Sequence, residues 1–140
     1  MTGKRVTIHT DGASRGNPGP AGIGVSLRVD GEDDAREFYA YIGETTNNVA
    51  EYRALLLGLD EAGKLGAASV TVLADSELLV RQLNGQYKVK SEGLRPLFLE
   101  AACRLREFPA SRVAHVRREE NRDADRLANR AIDEYDGRSA

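Results

Sequence analysis

A single cysteine, Cys103, rules out an intramolecular disulfide, and no Cys/His spacing resembles a zinc site. With alanine and leucine around it, Cys103 is expected to be a small core or half-buried residue. No apolar run approaches the length of a membrane span, and the N-terminal MTGKRVTIHT lacks the apolar stretch of a signal peptide. These absences point to a cytoplasmic protein with no membrane partner. Excess charge is also scarce: 20 Lys and Arg against 22 Asp and Glu leave a net charge of −2, which argues against a generic nucleic-acid binder. The distribution says more than the balance. Residues 1–80 hold 7 basic and 12 acidic side chains, residues 81–118 hold 9 and 3, and residues 119–140 hold 4 and 7. The basic block is either a solvated Arg-rich face or part of a binding surface. What remains is an ordinary globular composition, expected to form one domain over residues 1–140, with 136–140 as a frayed tail.

The stretch VTIHTDGASRGNPGP at 6–20 begins with the alternation of a half-buried strand and then breaks at Gly12, Gly16, Asn17, Pro18 and Gly19. Asp11 sits at that break. A carboxylate at the end of a core strand is held in a defined position, which suits catalysis or metal binding, although Asp11-Gly12 also fits a plain turn. Residues 21–29 and 36–42 read as two further strands joined by the acidic turn 30–34, an antiparallel meander. Thr45-Thr46-Asn47-Asn48 then offers helix-capping side chains before a helix striped by Val49, Tyr52, Leu56 and Leu59 that stops at Gly66. Glu51 falls in its first turn, where a capping box or the helix dipole would also account for it.

Residues 69–74 form a β-branched strand after a helix, so it should run parallel to an earlier strand. It ends at Asp75, which repeats the pattern of Asp11 and could equally cap the short helix 77–83. A basic link, QYKVKSEGLRP, leads to a helix over 97–108 stopped by Pro109. A last strand is expected at 112–117 and a last helix after 119–125, with Leu127, Ala128, Ala131 and Ile132 facing inward. The order β-β-β-α-β-α-α-β-α specifies an α/β fold: a mixed sheet with helices packed on its faces.

Asp11 and Asp75 end two strands that can lie adjacent and parallel, and Glu51 and Asp125 lie near helix starts that can reach the same edge. Four such carboxylates would raise one another's pKa values unless cations neutralise them, and hard oxygen ligands suit Mg²⁺. Two ions about 3.5–4 Å apart can activate water and stabilise the leaving oxygen in phosphodiester hydrolysis.

At these residues the sequence resembles the type 1 ribonuclease H family. The resemblance rests on TDGASRGNPGPAGIG at 10–24, TTNNVAEYRALLLGL at 45–59, ADSELLVRQLNG at 74–85 and REENRDADRLAN at 118–129. It implies a ribonuclease H-like fold, with a five-stranded sheet of three antiparallel then two parallel strands. It also implies an Asp11, Glu51, Asp75, Asp125 ligand set for two Mg²⁺ or Mn²⁺ ions; Asp125 is preferred over the neighbouring Asp123 because it precedes Arg-Leu-Ala-Asn. Ser14, Gly16 and Asn17 match residues that approach RNA 2′-hydroxyls, Asn47 a residue that reaches into the minor groove, and Thr46 and Asn48 a pocket for a DNA-strand phosphate.

Three departures stand out. Glu77 replaces a glutamine often found there and is left out of the site. The short QYKVKSEG and the absence of Trp indicate the branch without the long basic protrusion, where Lys88 and Lys90 either replace part of its grip or are ordinary loop lysines. The loop before Asp125 lacks the family's mobile histidine. His115 is expected inside the strand 112–117 in a structural role, and His9 likewise has none in catalysis; Arg118 is the better candidate to contact the scissile phosphate or leaving group.

The implied activity is an endoribonuclease on RNA/DNA hybrids with little sequence specificity. It would leave 5′-phosphate and 3′-hydroxyl ends, acting as a monomer without an obligatory protein partner. A hybrid-binding module without turnover, and a DNA-strand nuclease such as a resolvase or transposase core, are the alternatives.

Overall fold

Buried side chains alternate with half-buried ones along parts of β1 (Lys4–Ser14) and of the fourth strand at Ala67–Ala74, whereas the second strand at Gly19–Val29 is buried at nearly every position. The structure, a computed structural model, describes residues 3–139 and the side chains of residues 3–136. In β1 (Lys4–Ser14), Val6, Ile8 and Thr10 are buried on one face. In β2 (Gly19–Val29), Ala21, Ile23, Val25, Leu27 and Val29 fill the same layer, and β3 (Arg36–Thr45) completes the antiparallel meander. α1 (Asn47–Lys64) crosses to β4 (Ala67–Ala74), which lies parallel to β1. α2 (Glu77–Leu83) and α3 (Arg95–Glu107) lead to β5 (Ala110–His115), parallel to β4. A 3₁₀ turn at Arg118–Glu120 precedes α4 (Arg122–Ser139). The sheet order is β3-β2-β1-β4-β5, the expected mixture of three antiparallel and two parallel strands.

Helices cover both faces. Tyr52, Leu55, Leu59 and Ala62 of α1, Leu79 and Val80 of α2, and Ala101 and Leu105 of α3 share one core with Val6, Ile8, Val70 and Val72. α4 takes the opposite face, burying Leu127, Ala128, Ala131 and Ile132 as expected, together with Ala124. It approaches β2 so closely that a Cβ at Gly22 or Gly24 would overlap the carbonyl oxygens of Ala128 and Ala124. Among the described residues no helix is long and apolar enough to cross a membrane.

Several local expectations are corrected. β1 does not break at Asp11 but runs to Ser14, because residues 11–14 keep their pairing with β2 after the β4 ladder has ended at Thr10↔Ala74. The α1 stripe centres on Tyr52, Leu55 and Leu59, with Val49 and Leu56 only half-buried. Glu51 lies beyond the first turn of α1: Thr46 is the N-cap, and its hydroxyl accepts the Val49 N–H at 3.3 Å. Capping therefore does not account for Glu51. Nor does Asp75 cap α2, since Ser76 does so by accepting the Leu79 N–H at 3.2 Å. Cys103 is exposed, because the face of α3 that carries Ala101 and Leu105 turns inward and leaves position 103 on the other side. His115 is the exposed last residue of β5 rather than an interior one, as the chain turns into the 3₁₀ segment soon after. Ala140, at the end of the tail expected to fray, lies outside the described residues, whereas the α4 backbone is helical to Ser139.

Candidate active site

The cleft opens where β1 and β4 part. Thr10 and Ala74 form the last parallel pair, so Asp11 and Asp75 are the next residues on two adjacent strands, at one edge of the sheet. Glu51 reaches them from α1. A Cβ on Gly12 would overlap the Ala50 carbonyl and the Glu51 nitrogen, so the glycine lets α1 lie directly on β1. The Gly12 N–H then donates to Glu51 Oε1 at 2.9 Å and orients its carboxylate. Oxygens of Asp11, Glu51 and Asp75 lie within 4.8 Å of one another.

Asp125, in the first turn of α4, completes the wall of the cleft, close enough to Asp11 to help raise its proton affinity. Arg118 stands at the rim, largely exposed, with Nη2 3.9 Å from Asp125 Oδ1. Asp123 instead points away into solvent, 3.7 Å from Arg126.

Burial and mutual repulsion dominate the electrostatics. Asp11, 5% exposed, has its carboxyl pushed up to about 10, first by loss of hydration and then by Glu51 and Asp75. Glu51 is pushed up to about 8 by burial, against the opposing pull of the Gly12 N–H. Such a set holds protons or a compensating cation. Its donors are all carboxylate oxygens close enough to share one ion, which fits a hard divalent metal.

The residues matched to substrate contacts gather beside the acids. Asn47 Oδ1 accepts the Ser14 N–H at 3.2 Å, and Asn17 Oδ1 accepts the Asn47 N–H at 3.0 Å, tying the β1–β2 turn to the start of α1. Ser14 Oγ donates to the Gly16 carbonyl at 2.6 Å, and Gly16 takes a φ of 108°, a conformation that favours glycine. Thr46 and Asn48 flank Asn47 at the same helix start. Lys88 and Lys90 sit apart, exposed on the link 84–94, and do not line the acidic cleft.

The chain matches a family model described as reverse transcriptase-like over residues 9–131. It is 34% identical over 143 residues to ribonuclease H of Methylococcus capsulatus, covering 92% of this chain and 90% of that one. The chain belongs to the type 1 ribonuclease H family. Among solved structures of ribonuclease H proteins, RNase H1 of Halobacterium salinarum superposes with a TM-score of 0.89 at 39% identity, covering 93% of this chain and 98% of that chain. LC11-RNase H1, from compost, was solved in complex with RNA/DNA hybrid; it is 46% identical, with a TM-score of 0.86 and coverage of 94% and 99%. A bifunctional protein of Mycobacterium tuberculosis is 48% identical over 130 residues, and this chain spans 36% of its length.

Three residues of this site escape sequence reasoning. Asn121, 1% exposed, donates from Nδ2 to the Thr10 carbonyl at 2.9 Å, bolting the approach to α4 onto the strand end that carries Asp11. Asn129 and Arg15 contact the site from α4 and the β1–β2 turn. All three lie within the motifs at 10–24 and 118–129, but their partners are more than a hundred residues distant along the chain, and a motif does not show which residue of one stretch meets which of another.

Proposed function

We propose that this chain hydrolyses the RNA strand of RNA/DNA hybrids, leaving 5′-phosphate and 3′-hydroxyl ends. The observation that carries this reading is the convergence of Asp11, Glu51 and Asp75 within 4.8 Å, beside Ser14, Gly16 and Asn17 at the β1–β2 turn and Asn47 at the start of α1. Asp11, Glu51, Asp75 and Asp125 would hold two Mg²⁺ or Mn²⁺ ions, whose chemistry is to generate a nucleophilic water and stabilise the leaving 3′-oxygen. The P–O3′ bond breaks, the incoming oxygen stays on the 5′-phosphate, and no bond to the protein forms. Ser14, Gly16 and Asn17 approach the 2′-hydroxyls that mark the cut strand, and Asn47 the minor groove. Thr46 and Asn48 hold a phosphate of the DNA strand, selecting the hybrid over pure RNA. Lys88 and Lys90 add a salt-sensitive grip.

The family membership and the hybrid bound by LC11-RNase H1 support the substrate class. End-labelled hybrid, duplex DNA and duplex RNA, each with Mg²⁺, Mn²⁺ or EDTA, test it. Metal-dependent cutting of the hybrid's RNA strand alone is expected. Binding without cutting in every metal would make the chain a binding module; cutting of duplex DNA would make it a DNA nuclease on this fold.

Arg118 is assigned to the scissile phosphate or leaving group because its exposed guanidinium reaches over the cleft beside Asp125. Arg118→Ala should lower the rate about tenfold, in line with one lost charged contact of ~1.4 kcal/mol. Equal rates for variant and wild type under both single and multiple turnover would remove Arg118 from the site.

A further inference from the structure

Arg15 belongs to the turn between β1 and β2, yet its side chain reaches across to α4. Its Nη2 lies 2.7 Å from Asp133 Oδ1 and its Nη1 3.5 Å from Asp136 Oδ2. The same Nη2 donates at 3.4 Å to both the carbonyl and the Oδ1 of Asn129. Asn129 Nδ2 in turn donates to the Asp125 carbonyl at 3.0 Å and to Asp125 Oδ1 at 3.3 Å.

This sequence of contacts has a direction. A carboxamide has one acceptor end and one donor end, whereas a guanidinium only donates. Arg15 therefore favours the orientation of Asn129 that places Oδ1 toward the turn and Nδ2 toward Asp125. In that orientation the amide steadies the Asp125 carboxylate, as partners behind a metal ligand commonly do. Asp133 shares the Arg15 Nη2 with Asn129, and Asp136 holds Nη1.

We propose that Arg15 and Asn129 are positioning residues that link the turn seating the RNA strand to the orientation of Asp125. The proposal rests on the reading of Asp125 as a metal ligand. Arg15 acts through Asn129, and neither touches the reacting atoms.

Mn²⁺ binding to the substrate-free protein, followed by water-proton relaxation, reads the effect independently of catalysis. Asn129→Ala should weaken binding about tenfold and Arg15→Ala about threefold, with the double variant no weaker than Asn129→Ala alone. Arg15→Lys separates positioning from simple ion pairing: its compact ammonium keeps the pair with Asp133 and restores the melting temperature, but leaves Mn²⁺ affinity near that of Arg15→Ala. Alanine is a strong helix former, so Asn129→Ala should keep its far-UV circular dichroism. Unchanged Mn²⁺ affinity in Asn129→Ala, independent addition of the two effects, or no Mn²⁺ binding by the wild type would each overturn the proposal. Hybrid cleavage by the wild type is measured alongside: its loss with Mn²⁺ binding intact counts against the ribonuclease reading alone.

Discussion

Asp11→Asn is expected to abolish hybrid cleavage and, in the absence of metal, to make the protein more stable. The variant removes a carboxylate from the centre of the acid cluster, so the loss of rate should be on the order of 10³-fold or more, about 4 kcal/mol of barrier. The stability gain comes from the charge that the wild type has to bury. Asp11 and Glu51 have folded-state values of about 10 and about 8, both above the ordinary carboxylate range. From about pH 4 upward the native protein therefore binds more protons than the unfolded chain, and stability falls as pH rises. Their contribution is full at acid pH and is lost as pH passes the two folded values.

At pH 8 without metal, Asp11→Asn should raise stability by roughly 2–4 kcal/mol. Thermal denaturation in EDTA at pH 5 and pH 8 measures this, with the difference between variant and wild type larger at the higher pH. Added Mg²⁺ or Mn²⁺ should stabilise the wild type more than the variant, because a cation offsets the repulsion that the substitution has already reduced. A variant no more stable than wild type in EDTA at pH 8 would refute this account of the cluster.

The second large effect is steric. Gly12→Ala places a methyl group against the Ala50 carbonyl and the Glu51 nitrogen, which are backbone atoms and not the flexible end of a side chain. Neither partner is free to yield: β1 is held by its pairing of Gly12 with Ile23, and α1 is anchored by Tyr52 and Leu55, both almost fully buried. Tyr52 is further fixed by donating its hydroxyl proton to Gln82 Oε1 at 2.6 Å. Destabilisation of about 3 kcal/mol or more is expected in urea unfolding, with cleavage lost as the Gly12–Glu51 hydrogen bond is pulled apart. Gly63→Ala is the control. That glycine lies inside α1 with nothing within 4 Å of an added Cβ, so alanine should stabilise the protein by about 0.5–1 kcal/mol. Similar urea midpoints for the two variants would show that close packing at Gly12 is not what limits the site.

Much of the architecture was legible because it depends on local chemistry. Periodicity and capping signals located the five strands and four α-helices in order, though not the 3₁₀ turn at Arg118–Glu120, and the strand-acid pattern at Asp11 and Asp75 anticipated their meeting at one sheet edge. Misreadings arose where a local rule competed with pairing. Asp-Gly suggested a turn at 11–12, but β2 keeps β1 extended to Ser14. Glu51 resembled a first-turn capping residue until Thr46 took the cap and moved Glu51 into the second turn. His115 stood within an alternating run, yet β5 ends on it. Cys103 had apolar neighbours in sequence, but the rotation of the helix put it outside.

By itself the sequence determined the elements, their order and the chemical types gathered in four motifs, since propensity, alternation and capping act over a few residues. Tertiary structure alone decided how closely the carboxylates approach one another and how far burial shifts their proton affinity. It also decided that Arg15 of the first turn meets Asn129 of the last helix, 114 residues away. Contacts of that span depend on the distance at which sheet and helix pack, and here that distance is fixed by glycines at 12, 22 and 24 whose missing side chains no periodic pattern reveals.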